Sequence, residues 1–148
     1  MTSTKSTPPE EIDGRVLSAL LACEQVIADS YARADADQRG SVADLFVEDG
    51  RQRLGPDEMH GRENIREIMG ARDGMGRRTL HTVSDVRMVG PASGNEVHLS
   101  YNVTLYLLSG ESPCIPNALA SVADVLVEQD GQWLLKSRDL SVLASHHG

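Results

Sequence analysis

The sequence predicts an α+β domain in which helices pack on one face of a strongly bent antiparallel sheet, forming a cone with an internal pocket. Two observations lead there. Apolar residues at helical spacing fill the first half of the chain, and strand-like alternation fills the second. No repeat, linker or low-complexity tract interrupts residues 12–143. The chain has 148 residues, 40% of them hydrophobic, which suits one domain with a core of its own. We expect residues 1–11 ("MTSTKSTPPEE") to be a disordered N-terminal segment, residues 12–143 the single domain, and residues 144–148 a C-terminal tail.

The elements follow in order. Residues 12–37 read as a long helix: Val16, Leu20, Cys23, Ile27 and Tyr31 recur at helical spacing, and Leu17 and Leu21 widen that stripe. Residues 41–50 ("SVADLFVEDG") read as a short second helix, capped by Ser41, with Val42, Leu45 and Phe46 inward and Gly50 as the stop. "RQRL" suits a short strand and "GPDEMHG" a turn. Residues 62–72 form a third helix with Ile65, Ile68 and Met69 on one face, broken by "DGMG". Four strands are then predicted at 79–89, 96–108, 119–129 and 132–143. The second alternates strictly, with Val97, Leu99, Tyr101, Val103, Leu105 and Leu107 on one parity and His98, Ser100, Asn102, Thr104 and Tyr106 on the other. "GPASGN" and "QDGQ" are turns, the second fitting a tight hairpin.

Several function classes lose support at once. A net charge of −8 with no basic patch argues against nucleic acid and against anionic membranes as partners. No run of about 18 apolar residues occurs, and the N-terminus has no apolar core of a signal peptide, so a cytoplasmic protein is expected. Cys23 and Cys114 lack the spacing of a zinc site and read as free thiols. No GxSxG elbow and no phosphate-binding glycine loop is present.

Three residues are candidates for chemistry. Asp35 continues the stripe from Ile27 and Tyr31, and a carboxylate at the edge of an apolar face needs a partner, whereas Asp37 turns away to water. His81 opens the strand "TLHTVSD", where neither parity is cleanly polar, so alternation does not fix its direction. Were it to meet Asp35, the carboxylate would hold one ring nitrogen and raise the basicity of the other. Arg138 shares a parity with Leu134, Leu140 and Val142 and could be an inward cation, or a surface residue paired with Asp139 or another acid. His60 in its turn and His98 on its polar parity read as exposed, and "SHHG" at the C-terminus is a weak metal signal.

Four pieces, "YARADADQRGSVADLFVEDG", "GRENIREIM", "TLHTVSD" and "DGQWLLKSR", together resemble the SnoaL-like branch of the nuclear-transport-factor-2-like superfamily over roughly residues 15–143. That group includes scytalone dehydratase, polyketide cyclases and hexachlorocyclohexane dehydrochlorinase. The resemblance implies a catalytic Asp35–His81 dyad, with Arg138, five residues after Trp133, helping to stabilise a leaving group. It also implies a pocket in which Tyr31, Phe46 and Met69 meet the substrate, and chemistry with no cofactor and no metal. Tyr31 stands four residues before Asp35, where some dehydratases place a tyrosine five before. The expected activity is a cofactor-independent lyase or isomerase, of dehydratase type, acting on a small apolar polyketide- or steroid-like metabolite. The alternatives are an aldol-type polyketide cyclase with the same site and a non-catalytic binding or association module. The polar parity bearing His98, Ser100, Asn102 and Thr104 suggests a homodimer or homotrimer.

Overall fold

A computed structural model describes residues 13–90, 95–108, 110 and 114–146. The predicted N-terminal segment, most of "GPASGN" and the last two residues lie outside them. Helix α1 (Gly14–Asp35) starts at Asp13, whose side chain accepts the Val16 N–H at 2.9 Å. It buries Ala19, Cys23, Ile27, Tyr31 and Ala34. Leu17 and Leu21, expected to widen that stripe, are instead 51% and 56% exposed, because the sheet meets only a narrow face of the helix. Asp37, in the left-handed region at φ 61°, ends the helical path.

The predicted helix over 41–50 is replaced by a 3₁₀ helix (Arg39–Leu45) that passes directly into strand β1 (Phe46–Leu54). Val42, Ala43, Phe46 and Val47 are all buried, a spacing that also suits a helix, so the pattern misled. Parallel pairing of β1 with the last strand overrides it. The pairing register shifts between Phe46 and Arg51, around Gly50, where a Cβ would lie 2.9 Å from the Val47 carbonyl oxygen. The expected turn "GPDEMHG" contains a further strand, β2 (Asp57–His60), which pairs antiparallel with β1 and buries Met59 completely. Helix α2 (Arg62–Gly70) buries Ile65 and Met69. Gly40 packs so closely on it that a Cβ there would sit 3.1 Å from Gly70 Cα.

Strands β3 (Thr79–Met88), β4 (Glu96–Leu107), β5 (Pro116–Gln129) and β6 (Gln132–Ser145) occupy the predicted places, with β5 starting earlier and β6 running past residue 143. The sheet order is β2-β1-β6-β5-β4-β3, and the β1–β6 pair is parallel where an antiparallel sheet was expected. The "QDGQ" hairpin is tight as predicted, with positive φ at both Asp130 and Gly131. Register shifts in β3–β4, at Asp85 (φ 57°), and twice in β5–β6 mark the bulges that curl the unclosed sheet. The helices cover its concave face. Val97, Leu99, Tyr101 and Val103 point into the core, while Leu105 and Leu107 emerge from it toward the open end. On the other face Asn102 is exposed and His98, Ser100 and Thr104 are half-buried. Among the described residues no helix is long and apolar enough to cross a membrane.

Cys23 is completely buried, and burial pushes its thiol up to about 12, whereas Cys114 is exposed. A thiol reagent at pH 8 is therefore expected to label one cysteine of the native protein and both after denaturation. Equal labelling of both in the native state would contradict this packing.

Candidate active site

The C-terminal end of α1 and the first residues of β3 meet at the rim of the sheet. There Asp35 and His81, 46 positions apart, come together. Asp35 Oδ1 lies 2.6 Å from His81 Nδ1 and accepts the Thr79 hydroxyl at 3.0 Å; Oδ2 accepts the His81 backbone N–H at 2.9 Å. Three contacts on one carboxylate fix its position, and the carboxylate fixes the ring. With Nδ1–H turned to Asp35, the imidazole Nε2 carries the lone pair. The two side chains keep 19% and 18% of their surface exposed, so the pair is sheltered but reachable. The Tyr31 ring packs beside the imidazole, with centroids 5.2 Å apart.

Deeper in the cone the sheet register sets a second group. Asp124 on β5 lies opposite Arg138 on β6, and Arg138 opposite Gln52 on β1. Of the two alternatives for Arg138, the structure has it inward, matched by Asp124: Nε and Nη2 donate to the two carboxylate oxygens, each at 3.0 Å. Tyr101 also donates to Asp124, at 2.7 Å, and the Arg138 guanidinium sits 4.8 Å from the centre of the Tyr31 ring. Burial works against the charge on Arg138, but Asp124 and the two tyrosines outweigh it and raise its pKa well above the ordinary arginine value. Nη1 has no partner among the described residues.

The direction of the tyrosine bonds decides what Tyr31 can do. The hydroxyls of Tyr31 and Tyr101 are 2.9 Å apart. Tyr101 has one proton and gives it to Asp124, so Tyr31 must donate to Tyr101. Tyr31 therefore offers the cavity only lone pairs. Burial also pushes its pKa up, more than Arg138 pulls it down, so proton loss is disfavoured. In this hydrogen-bond chain the Tyr31 proton is engaged with Tyr101 and is not directed to the cavity. Tyr31→Phe is expected to lower kcat by less than about tenfold, whereas loss of a general acid costs roughly 10²–10⁴-fold. A loss in the larger range would reverse this assignment.

Between these two groups lies a cavity of about 140 Å³, walled by Tyr31, Ala34, Val42, Met69 and Leu140, with His81 and Arg138 among its polar residues. Tyr31 and Met69, two of the residues expected to meet substrate, line this cavity. Phe46 is different: it is fully buried in the core and is absent from the cavity wall, because β1 begins at this residue and pairs it with Leu135. At the mouth, Arg39 donates to Asp37 and to the Arg77 carbonyl, while Asp73 accepts from the backbone N–H groups of Arg39 and Gly40. Asp37 is exposed, as expected, and also helps tie down the loop after α2 by accepting the Gly74 N–H. His60 is exposed beside Glu58, and His98 lies 3.2 Å from Glu96. Asp85 is exposed at its bulge, away from the dyad.

Residues 15–139 match the SnoaL-like domain family. The chain belongs to that family. No protein of curated function matches the sequence significantly. Among solved structures, this SnoaL-like chain is similar to a protein of Novosphingobium aromaticivorans provisionally named a scytalone dehydratase. The TM-score is 0.77 at 24% identity, over 90% of this chain and 91% of the other. ActVI-ORFA of Streptomyces coelicolor superimposes with a TM-score of 0.73 at 19% identity, over 84% of this chain and 98% of that one. A hexachlorocyclohexane dehydrochlorinase, LinA type 2, gives 0.74 at 18% identity, over 90% and 93%. These similarities confirm the cone fold, and the SnoaL-like family to which the chain belongs is one of cofactor-free lyases and isomerases.

Sequence reading missed several residues of the site. Asp124 stood on the inward parity Ala120, Val122, Asp124, Leu126, where a lone acid on an apolar face was a usable signal. Thr79, Gln52 and Arg39 carried none, since each becomes a site residue only through pairing across the fold.

Proposed function

We propose that this SnoaL-like chain is a cofactor-independent lyase or isomerase of dehydratase type, with Asp35 and His81 as its proton-transfer pair. The observation that supports it is the 2.6 Å contact of Asp35 Oδ1 with His81 Nδ1, at the wall of an apolar cavity. His81 Nε2 removes a proton from the carbon next to a substrate carbonyl. The carbon–oxygen bond at the β position then breaks, and the imidazolium returns its proton to the departing hydroxyl. Water leaves, and a conjugated enone remains. Arg138 Nη1 stabilises the departing β-oxygen as its bond to carbon breaks.

Cavity size supports a compact substrate. A closed space of roughly 150 Å³ holds a benzene-sized guest, so about one ring fits inside and any further rings extend through the mouth. The partner in this reading is that small molecule, bound by a homodimer or homotrimer of the chain.

The test uses a cyclic β-hydroxy ketone such as 3-hydroxycyclohexanone in D₂O. Protein-dependent exchange of the α-proton, followed by NMR, is expected together with enone absorbance. Exchange without enone would redirect the outcome to isomerisation or aldol cyclisation through the same base. Binding with neither would favour a carrier or association module and reject the catalytic reading.

A further inference from the structure

The floor of the cavity contains an amide that the dyad does not use. Gln52 is 1% exposed and lines the cavity. Its Nε2 donates to the Met59 sulfur at 3.5 Å, and it makes no other side-chain hydrogen bond among the described residues. A thioether is a weak acceptor, and an amide oxygen in that place would set lone pair against lone pair, so the N–H end faces sulfur. That leaves Oε1 pointing elsewhere. No buried side-chain oxygen or nitrogen among the described residues lacks a partner, so Oε1 opens on the cavity. The same reasoning applies to Arg138 Nη1, since Arg138 is 4% exposed and its Nε and Nη2 are taken by Asp124.

Gln52 and Arg138 are register partners across the parallel β1–β6 pair, so their side chains share the concave face. The floor thus offers an acceptor, Gln52 Oε1, next to a donor, Arg138 Nη1. A carbonyl or ether oxygen can use the donor alone. A hydroxyl uses both, giving its proton to the amide and a lone pair to the guanidinium.

The geometry points to Gln52 as the specificity-determining residue that, with Arg138, selects a hydroxyl-bearing ring for this cavity. The inference rests on the proposed function for which hydroxyl matters: it is the one at the β-carbon, seated on the floor while the α-carbon faces His81. Holding Gln52 in a nearly dry site with one thioether contact lowers stability, which ligand recognition explains and packing does not.

The experiment compares binding of cyclohexanol, cyclohexanone and methoxycyclohexane to the full chain by NMR chemical-shift titration. Wild type is expected to favour the alcohol by about tenfold or more, since a site built for an O–H discriminates against analogues that lack it. Gln52→Met, of similar shape, should bind all three alike and melt no lower than wild type. Wild type binding the three compounds equally would overturn the inference. So would a Gln52→Met protein that keeps the alcohol preference, whatever its melting temperature. Wild-type titrations alone decide the matter if that variant does not fold. His81→Ala is expected to keep the preference while losing α-proton exchange, so failure of the dyad and failure of the floor are separate results.

Discussion

His81→Ala is expected to lower α-proton exchange by roughly 10²–10⁴-fold while the protein stays folded. The size follows from what is removed: the only base the site presents to substrate at that wall of the cavity among the described residues. The retained fold follows from what stays behind. Asp35 keeps the Thr79 hydroxyl on Oδ1 and the backbone N–H of residue 81 on Oδ2, so losing the imidazole does not strand a carboxylate. A melting temperature within a few degrees of wild type is expected. Asp35→Asn provides the matching case. Its amide would turn an N–H toward Nδ1, leaving the proton on Nε2, the nitrogen that must accept one. Both variants should fail at the exchange step with overlapping, not additive, losses, because they disable one unit. An alanine variant that exchanges as fast as wild type would refute the dyad.

The two halves of that dyad differ in how readily they could be seen in the sequence. Asp35 was visible from helix phase, because α1 is long and its stripe runs through Ile27 and Tyr31 to the acid. His81 was not, because β3 is an edge strand whose faces are both partly exposed, and alternation carries no direction there. Family resemblance aimed it, and the curl of the sheet brings it to Asp35. The β4 alternation was legible for the opposite reason: its inner face is buried across Val97, Leu99, Tyr101 and Val103. Where the reading failed, non-local pairing had decided the outcome. Residues 46–50 carry a helix-compatible pattern but lie against β6, and "DEMH" becomes a strand because β1 offers an edge beside it. Gln52 sits between two arginines in "RQRL", and no local pattern says that its side chain reaches the cavity.

Asp124→Ala is expected to be the most destabilising single change at this site, costing about 3–5 kcal/mol. Asp124 and Arg138 are both nearly inaccessible to water, and the carboxylate accepts two guanidinium N–H groups and the Tyr101 hydroxyl. Alanine leaves a nearly buried cation with the Tyr31 ring against it and no acid to match its charge. For a chain of this size the cost corresponds to a fall of about 6–20 °C in melting temperature, read by calorimetry. Asp124→Leu combined with Arg138→Met should recover much of that loss, since the penalty comes from a stranded charge more than from a missing bond. If the single alanine variant melts with wild type, the pair does not hold the floor together. The consequence also reaches the ligand. Without Asp124, the Tyr101 proton has no acid to go to and can turn to the Tyr31 oxygen, which frees the Tyr31 proton for the cavity. A double-replaced protein that folds would then offer a donor at Tyr31 where wild type offers lone pairs, and the floor would lose the guanidinium that seats a hydroxyl. Its preference for cyclohexanol over cyclohexanone should fall although its stability returns, separating what holds the cone together from what reads the substrate.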